Sequence, residues 1–150
     1  MATTTGTFNW YDKAIKNLQN GAIDADTDPL QVLLTTSTYT PDATADEFVS
    51  DITNELSGSG YARQTLTSVT LTEVSAGNWK LSSANPVFTA SGGSLVANQW
   101  VLFSNANGTD ATRELMAYGL LDNTTADVTA TDGNSITVNV SSGWYTAAKA

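Results

Sequence analysis

Apolar residues at Tyr11, Ala14, Ile15 and Leu18 recur at the i, i+3, i+4, i+7 spacing of one helical face, and Gly21 follows as a left-handed stop. The spacing predicts one short helix over 10–20, lying on a sheet by its 11, 14, 15 and 18 face. After it the period shortens. Residues 30–36 form a largely apolar run with Pro29 just ahead, where a missing backbone donor harms a ladder least, and they read as a strand inside a sheet. Residues 42–55 are polar and acidic, with Phe48, Val49 and Ile52 as anchors, and read as a long excursion holding one helical turn. Residues 57–60, Ser-Gly-Ser-Gly, are a flexible turn.

Strands are then expected over 66–74, 79–81, 87–89, 98–103, 114–121 and 135–140. In the last of these Ile136, Val138 and Val140 share one face while Thr137, Asn139 and Ser141 share the other. Gly92-Gly93, Asn107-Gly108 and Asp132-Gly133 supply turns between them. About seven or eight short strands rich in Thr and Val, without βαβ alternation, make the expected fold mainly β: an antiparallel β-sandwich or jelly roll with one short N-terminal helix. Residues 1–7, Thr-rich and lacking a basic or long apolar segment, read as a flexible arm rather than a secretory signal, and 8–150 as a single β-sandwich domain. No apolar run approaches the length of a membrane span.

Composition narrows the chemistry. The chain of 150 residues has no cysteine and no histidine. That excludes thiolate and imidazole metal sites, thiol nucleophiles and His-based triads. Fifteen acidic and six basic residues give a net charge of −9, and the six cations are scattered, so nucleic acid is a poor partner. The acidic excess is local. From Asn17 to Ala62 there is no basic residue, while Asp24, Asp26, Asp28, Asp42, Asp46, Glu47, Asp51 and Glu55 all fall in that window. Such a face aids solubility or complements a basic partner.

Asp24, Asp26 and Asp28 imitate the first alternating ligands of an EF-hand loop, but Pro29 and Thr35 stand where glycine and glutamate belong. An Asx turn leading into the strand accounts for them better. Carboxylate pairs at Asp46/Glu47, Asp51/Glu55 and Glu114/Asp122 are available for glycoside hydrolysis, as they are in any acidic chain. No enzyme, metal or cofactor is expected. Of the tryptophans, Trp100 among Val101, Leu102 and Phe103 reads as core, while Trp10 and Trp144, near opposite ends of the chain, are the candidates for an exposed or intersubunit contact.

The helix ending Lys-Asn-Leu-Gln-Asn-Gly, then Ile23-Asp24-Ala25-Asp26-Thr27-Asp28, Val32-Leu33-Leu34-Thr35, Ser37-Thr38-Tyr39-Thr40-Pro41, Ile52-Thr53-Asn54-Glu55 and Ser57-Gly58-Ser59-Gly60-Tyr61 together resemble a family of small virion structural proteins of tailed bacteriophages. The later segments Val69-Thr70-Leu71, Val87-Phe88-Thr89-Ala90, Trp100-Val101-Leu102-Phe103 and Leu115-Met116-Ala117-Tyr118 extend the similarity over most of the chain. Where the family's Gly-Tyr segment continues into a glycine-rich turn, this chain has Ala62-Arg63-Gln64. The resemblance implies a β-sandwich on the outer surface of the virion. Its expected role is a decoration or cement protein that binds the major capsid protein at capsomer junctions, as a homo-oligomer with a trimer favoured over a dimer. Contacts are expected from the arm (Thr3, Thr4, Thr5, Thr7), from Trp10 and Trp144, and from Asp46 and Glu47 of the acidic excursion. The alternative is a tail- or fibre-associated adhesion module that binds host glycan.

Overall fold

The computed structural model describes residues 2–4, by their backbone course, and 7–148. In chain order the strands are β1 (Ala2–Thr4), β2 (Asn9–Trp10), β3 (Leu30–Thr35), β4 (Gln64–Thr65), β5 (Thr70–Ser75), β6 (Asn78–Ser82) and β7 (Val87–Thr89). They continue as β8 (Leu95–Ala97), β9 (Gln99–Ser104), β10 (Leu115–Leu120), β11 (Val128–Ala130), β12 (Ser135–Asn139) and β13 (Tyr145–Ala148). One helix, α1 (Asp12–Gln19), lies between β2 and β3. The architecture is mainly β, antiparallel and sandwich-like, as the alternating segments predict.

Its base is a five-stranded antiparallel sheet in the order β2-β10-β9-β3-β4. The apolar runs of β3 and β9 lack alternation because both faces of this sheet are covered. On the inner face Leu30, Val32, Leu34, Trp100, Leu102 and Met116 join Leu81, Phe88, Leu95, Ile136 and Val138 of the second layer in the larger core. On the outer face Leu33, Val101, Phe103 and Leu115 pack with Tyr11, Ala14, Tyr39 and Val49. A bulge between Leu115 and Ala117 turns both Met116 and Ala117 toward the inner core. The second layer consists of three small sheets, β13-β6-β5, β1-β12-β7 and β11-β8. Within it β1 runs parallel to β12, with Ala2 opposite Thr137 and Thr4 opposite Asn139.

Three expectations change in detail. The helix begins at Asp12 with Tyr11 as its N-cap, and Gly21 (φ +76°) terminates it as predicted. Its inward face, however, is Ala14, Asn17 and Leu18, and Ile15 stands 43 % exposed. The returning chain explains the rotation: Ile23 N–H bonds the Asn17 carbonyl at 3.0 Å and covers that side of the helix. The run 66–74 is not one strand either. Gln64–Thr65 pairs with β3, Thr70–Ser75 pairs with β6, and Ser68 at φ +54° turns the chain from one sheet to the next between them. The short strands β2, β4, β8, β11 and β13 are too brief or too polar to show a period in sequence.

Candidate functional site

Between Thr36 and Leu56 the chain leaves the five-stranded sheet and folds across its outer face. Both ends of this excursion are tied to the end of β3, through Thr36 N–H to the Asn54 carbonyl (3.0 Å) and Leu56 N–H to the Leu34 carbonyl (2.9 Å). Its middle is hooked over the β9-β10 end by Val49 N–H to the Arg113 carbonyl and Leu115 N–H to the Glu47 carbonyl. The expected helical turn is a 3-10 turn at Val49–Asp51.

Carboxylates hold this irregular backbone in place. Asp42 Oδ1 accepts from the Thr44 and Ala45 amides and from the Thr44 hydroxyl. Asp51 Oδ2 accepts from the Glu47 and Phe48 amides, both at 2.9 Å. The two carboxyls are held below the usual aspartate range, Asp42 first by the Thr44 hydroxyl and Asp51 first by the Phe48 amide, so both are anionic at neutral pH. Asp46 Oδ2 accepts from Tyr39 Oη at 2.9 Å and from the Asp42 amide at 3.1 Å. Behind it Tyr39 and Tyr11 hydroxyls share a buried hydrogen bond of 2.8 Å, and burial pushes both phenols well above their ordinary range, which keeps them protonated. Glu47 is neutralised by Lys13 at 3.1 Å and Lys16 at 4.0 Å, reaching across from α1.

A second polar cluster closes the loop's far end. The Arg63 guanidinium donates Nε and Nη2 to Glu55 (2.8 and 2.6 Å) and Nη1 and Nη2 to Asp110 (both 2.8 Å), and it lies over the Phe103 ring at 5.5 Å. Asp110 also accepts from Arg113 at 2.8 Å, and the Arg63 hydrogen bond is the main cause that holds its carboxyl down to about 2. Tyr61 Oη donates to Glu55 while accepting from the Leu34 amide. Thus Arg63, in Ala62-Arg63-Gln64, supplies the hub that joins the excursion, the 57–63 turn and the 107–113 loop.

The expected contact residues do not converge. Thr3 and Thr4 lie on β1 opposite Val138 and Asn139. Thr5 falls outside the described residues. Thr7 is exposed and, with Asn9, Leu120, Asp122 and Asn123, lines a shallow depression. Trp10 is half-buried against Phe8 (4.9 Å) and Tyr145 (4.8 Å). Trp144 is only 5 % exposed, edge-on to Trp100 at 5.2 Å, with its Nε1 donating to Ser83 Oγ, so it belongs to the core and presents no surface. Asp46 and Glu47 sit in the acidic layer, bonded as above. The exposed tryptophan is Trp79 on β6, and its signal was its place beside the Ala76-Gly77 hairpin turn, remote from the core.

The Asp24-Asp28 turn resolves as an Asx turn. Asp24 Oδ1 takes the Asp26 amide, and Asp28 Oδ2 takes the Asp24 amide at 2.9 Å and the Ser104 hydroxyl at 2.7 Å, fixing the start of β3. Glu114, 8 % exposed, accepts from Asn107 Nδ2. Among the described residues no group of three or more acidic side chains is arranged to hold a metal, and no helix is long and apolar enough to cross a membrane. Comparison with protein-family models, curated proteins and solved structures finds no match.

Proposed function

We propose that this chain is a structural protein of a tailed-bacteriophage virion, a decoration protein that binds the outside of the capsid shell and stabilises it. The observation that carries the reading is the acidic layer: a loop of some twenty residues, held rigid by its own carboxylates over a sheet buried on both faces. Loops of that length without regular structure are uncommon and usually functional. A stiff anionic surface suits attachment to a fixed basic patch, since little entropy is lost on binding. Clamping neighbouring shell subunits adds binding energy that is lost when they separate, which opposes internal pressure. The family resemblance supplies the virion; the layer supplies a surface.

Asp46→Asn with Glu47→Gln removes two charges from the layer and leaves an oxygen at each position to accept the hydrogen bonds made there. This double substitution is expected to lower capsid occupancy, and raised salt to do the same. Occupancy indifferent to both would rule out electrostatic attachment.

A further inference from the structure

Val87 on β7 and Val96 on β8 are isolated exposed apolar residues, whereas the small sheet β5-β6-β13 carries the exposed tryptophan of the molecule. Across it, Leu71, Leu81 and Tyr145 form one cross-strand row, and Glu73, Trp79 and Ala147 form the next row on the same face. The first row is anchored: Leu81 is buried, and Tyr145 packs on Phe8 at 5.5 Å and on Trp10 at 4.8 Å. The second row runs off the edge of the core, leaving Trp79 45 % exposed, with Val74 at the adjoining bulge 50 % exposed. The apolar face therefore continues from the interior onto the surface, backed by a stack of aromatic rings.

Charge says what covers it. Residues 64–109 carry one carboxylate, Glu73, and one ammonium, Lys80, so the whole net charge of −9 lies elsewhere in the chain. Two copies of so acidic a protein repel each other through most approaches, and little through a nearly uncharged surface such as this sheet. We infer that the surface around Trp79 and Val74 is where a second copy of the chain docks to make a homo-oligomer. β5 is moreover the last strand of its sheet, hydrogen-bonded through β6 on one side. Among the described residues no strand pairs with its other edge, which can therefore pair with a neighbour. A sugar ligand fits less well. Trp79 is flanked in its row by Ala147 and by Glu73, whose Oε1 already accepts the Gly77 amide at 2.8 Å, so the face offers apolar contact and few free polar groups.

The inference does not rest on capsid attachment, which uses the acidic layer. Sedimentation velocity of the full chain over a wide concentration range tests it, with Trp79→Ser, Val74→Lys and, as a control, Ile15→Ser on the exposed side of α1. Wild type and Ile15→Ser should sediment as one discrete oligomer. Trp79→Ser and Val74→Lys should each weaken association about tenfold or more, as loss of an interface anchor does, with unchanged circular dichroism. A wild type that stays monomeric, or an oligomer that survives both substitutions intact, overturns the proposal. If the monomer instead binds a glycan array and Trp79→Ser abolishes that binding, the side chain serves adhesion.

Discussion

The acidic layer and the β5-β6-β13 sheet are built by opposite means. In the layer, backbone amides that no ladder satisfies are bonded by Asp42, Asp46 and Asp51, and the apolar anchors Tyr39 and Val49 point into the outer-face core. In the small sheet the backbone of β6 is paired on both sides, by β5 and by β13, without help from side chains, which leaves residues such as Trp79 and Val74 to face outward. An irregular segment needs its polar side chains for its own fold, whereas a regular one can devote them to a partner. Many charges in the layer are therefore structural as well as electrostatic, and the sheet's exposed residues are dispensable to the monomer.

The difference sets an order of effects on stability. Leu33→Ala, beneath the layer, should cost about 3 kcal/mol in denaturant unfolding, since the cavity lies between β3 and the excursion. Arg63→Met should cost about 2 kcal/mol, because it leaves Glu55 and Asp110 without their partly buried cation, and amide exchange should rise in the excursion before the small sheet. Tyr39→Phe removes the bonds to Tyr11 and Asp46 and should cost about 1 kcal/mol. Trp79→Ser, measured on the monomer, should cost no more than about 1 kcal/mol, from partial burial and β propensity. A Trp79 effect as large as that of Arg63 would erase the contrast.

Acid should act first on the layer and on the 107–113 loop joined to it through Arg63. Asp42, Asp51 and Asp110 have folded-state pKa values below their unfolded ones, with Asp110 held down to about 2. Their contribution is complete above the unfolded value of about 4 and is lost as pH falls through the folded values. Stability at fixed denaturant should thus stay level from neutral pH to about 4 and decline toward about 2. Arg63→Met should make that decline shallower, because Asp110 then titrates nearer its unfolded value.

The fold was legible wherever burial imposes a period. Ile136 and Val138 alternate with polar residues, β3 and β9 are largely apolar, and Gly21 marks the helix end. What was hidden depends on tertiary partners. Ile15 fits the helical stripe as well as Leu18 does, and only the returning chain at Ile23 decides which is covered. Ser68 gives no composition signal for the left-handed turn that moves the chain between sheets. The role of Arg63 follows from Glu55 and Asp110 meeting it across 8 and 47 residues of sequence, which no local pattern encodes. Trp144, near the chain's end, suggested a surface residue, but Leu81 and Trp100 enclose it.

Cosedimentation of the purified protein with matching capsids that lack it, followed by imaging of the added mass, tests attachment most directly. The account predicts saturable binding at capsomer junctions on the outer shell that weakens as salt is raised and makes the shell more resistant to heat. Failure to bind such capsids at low salt would contradict it.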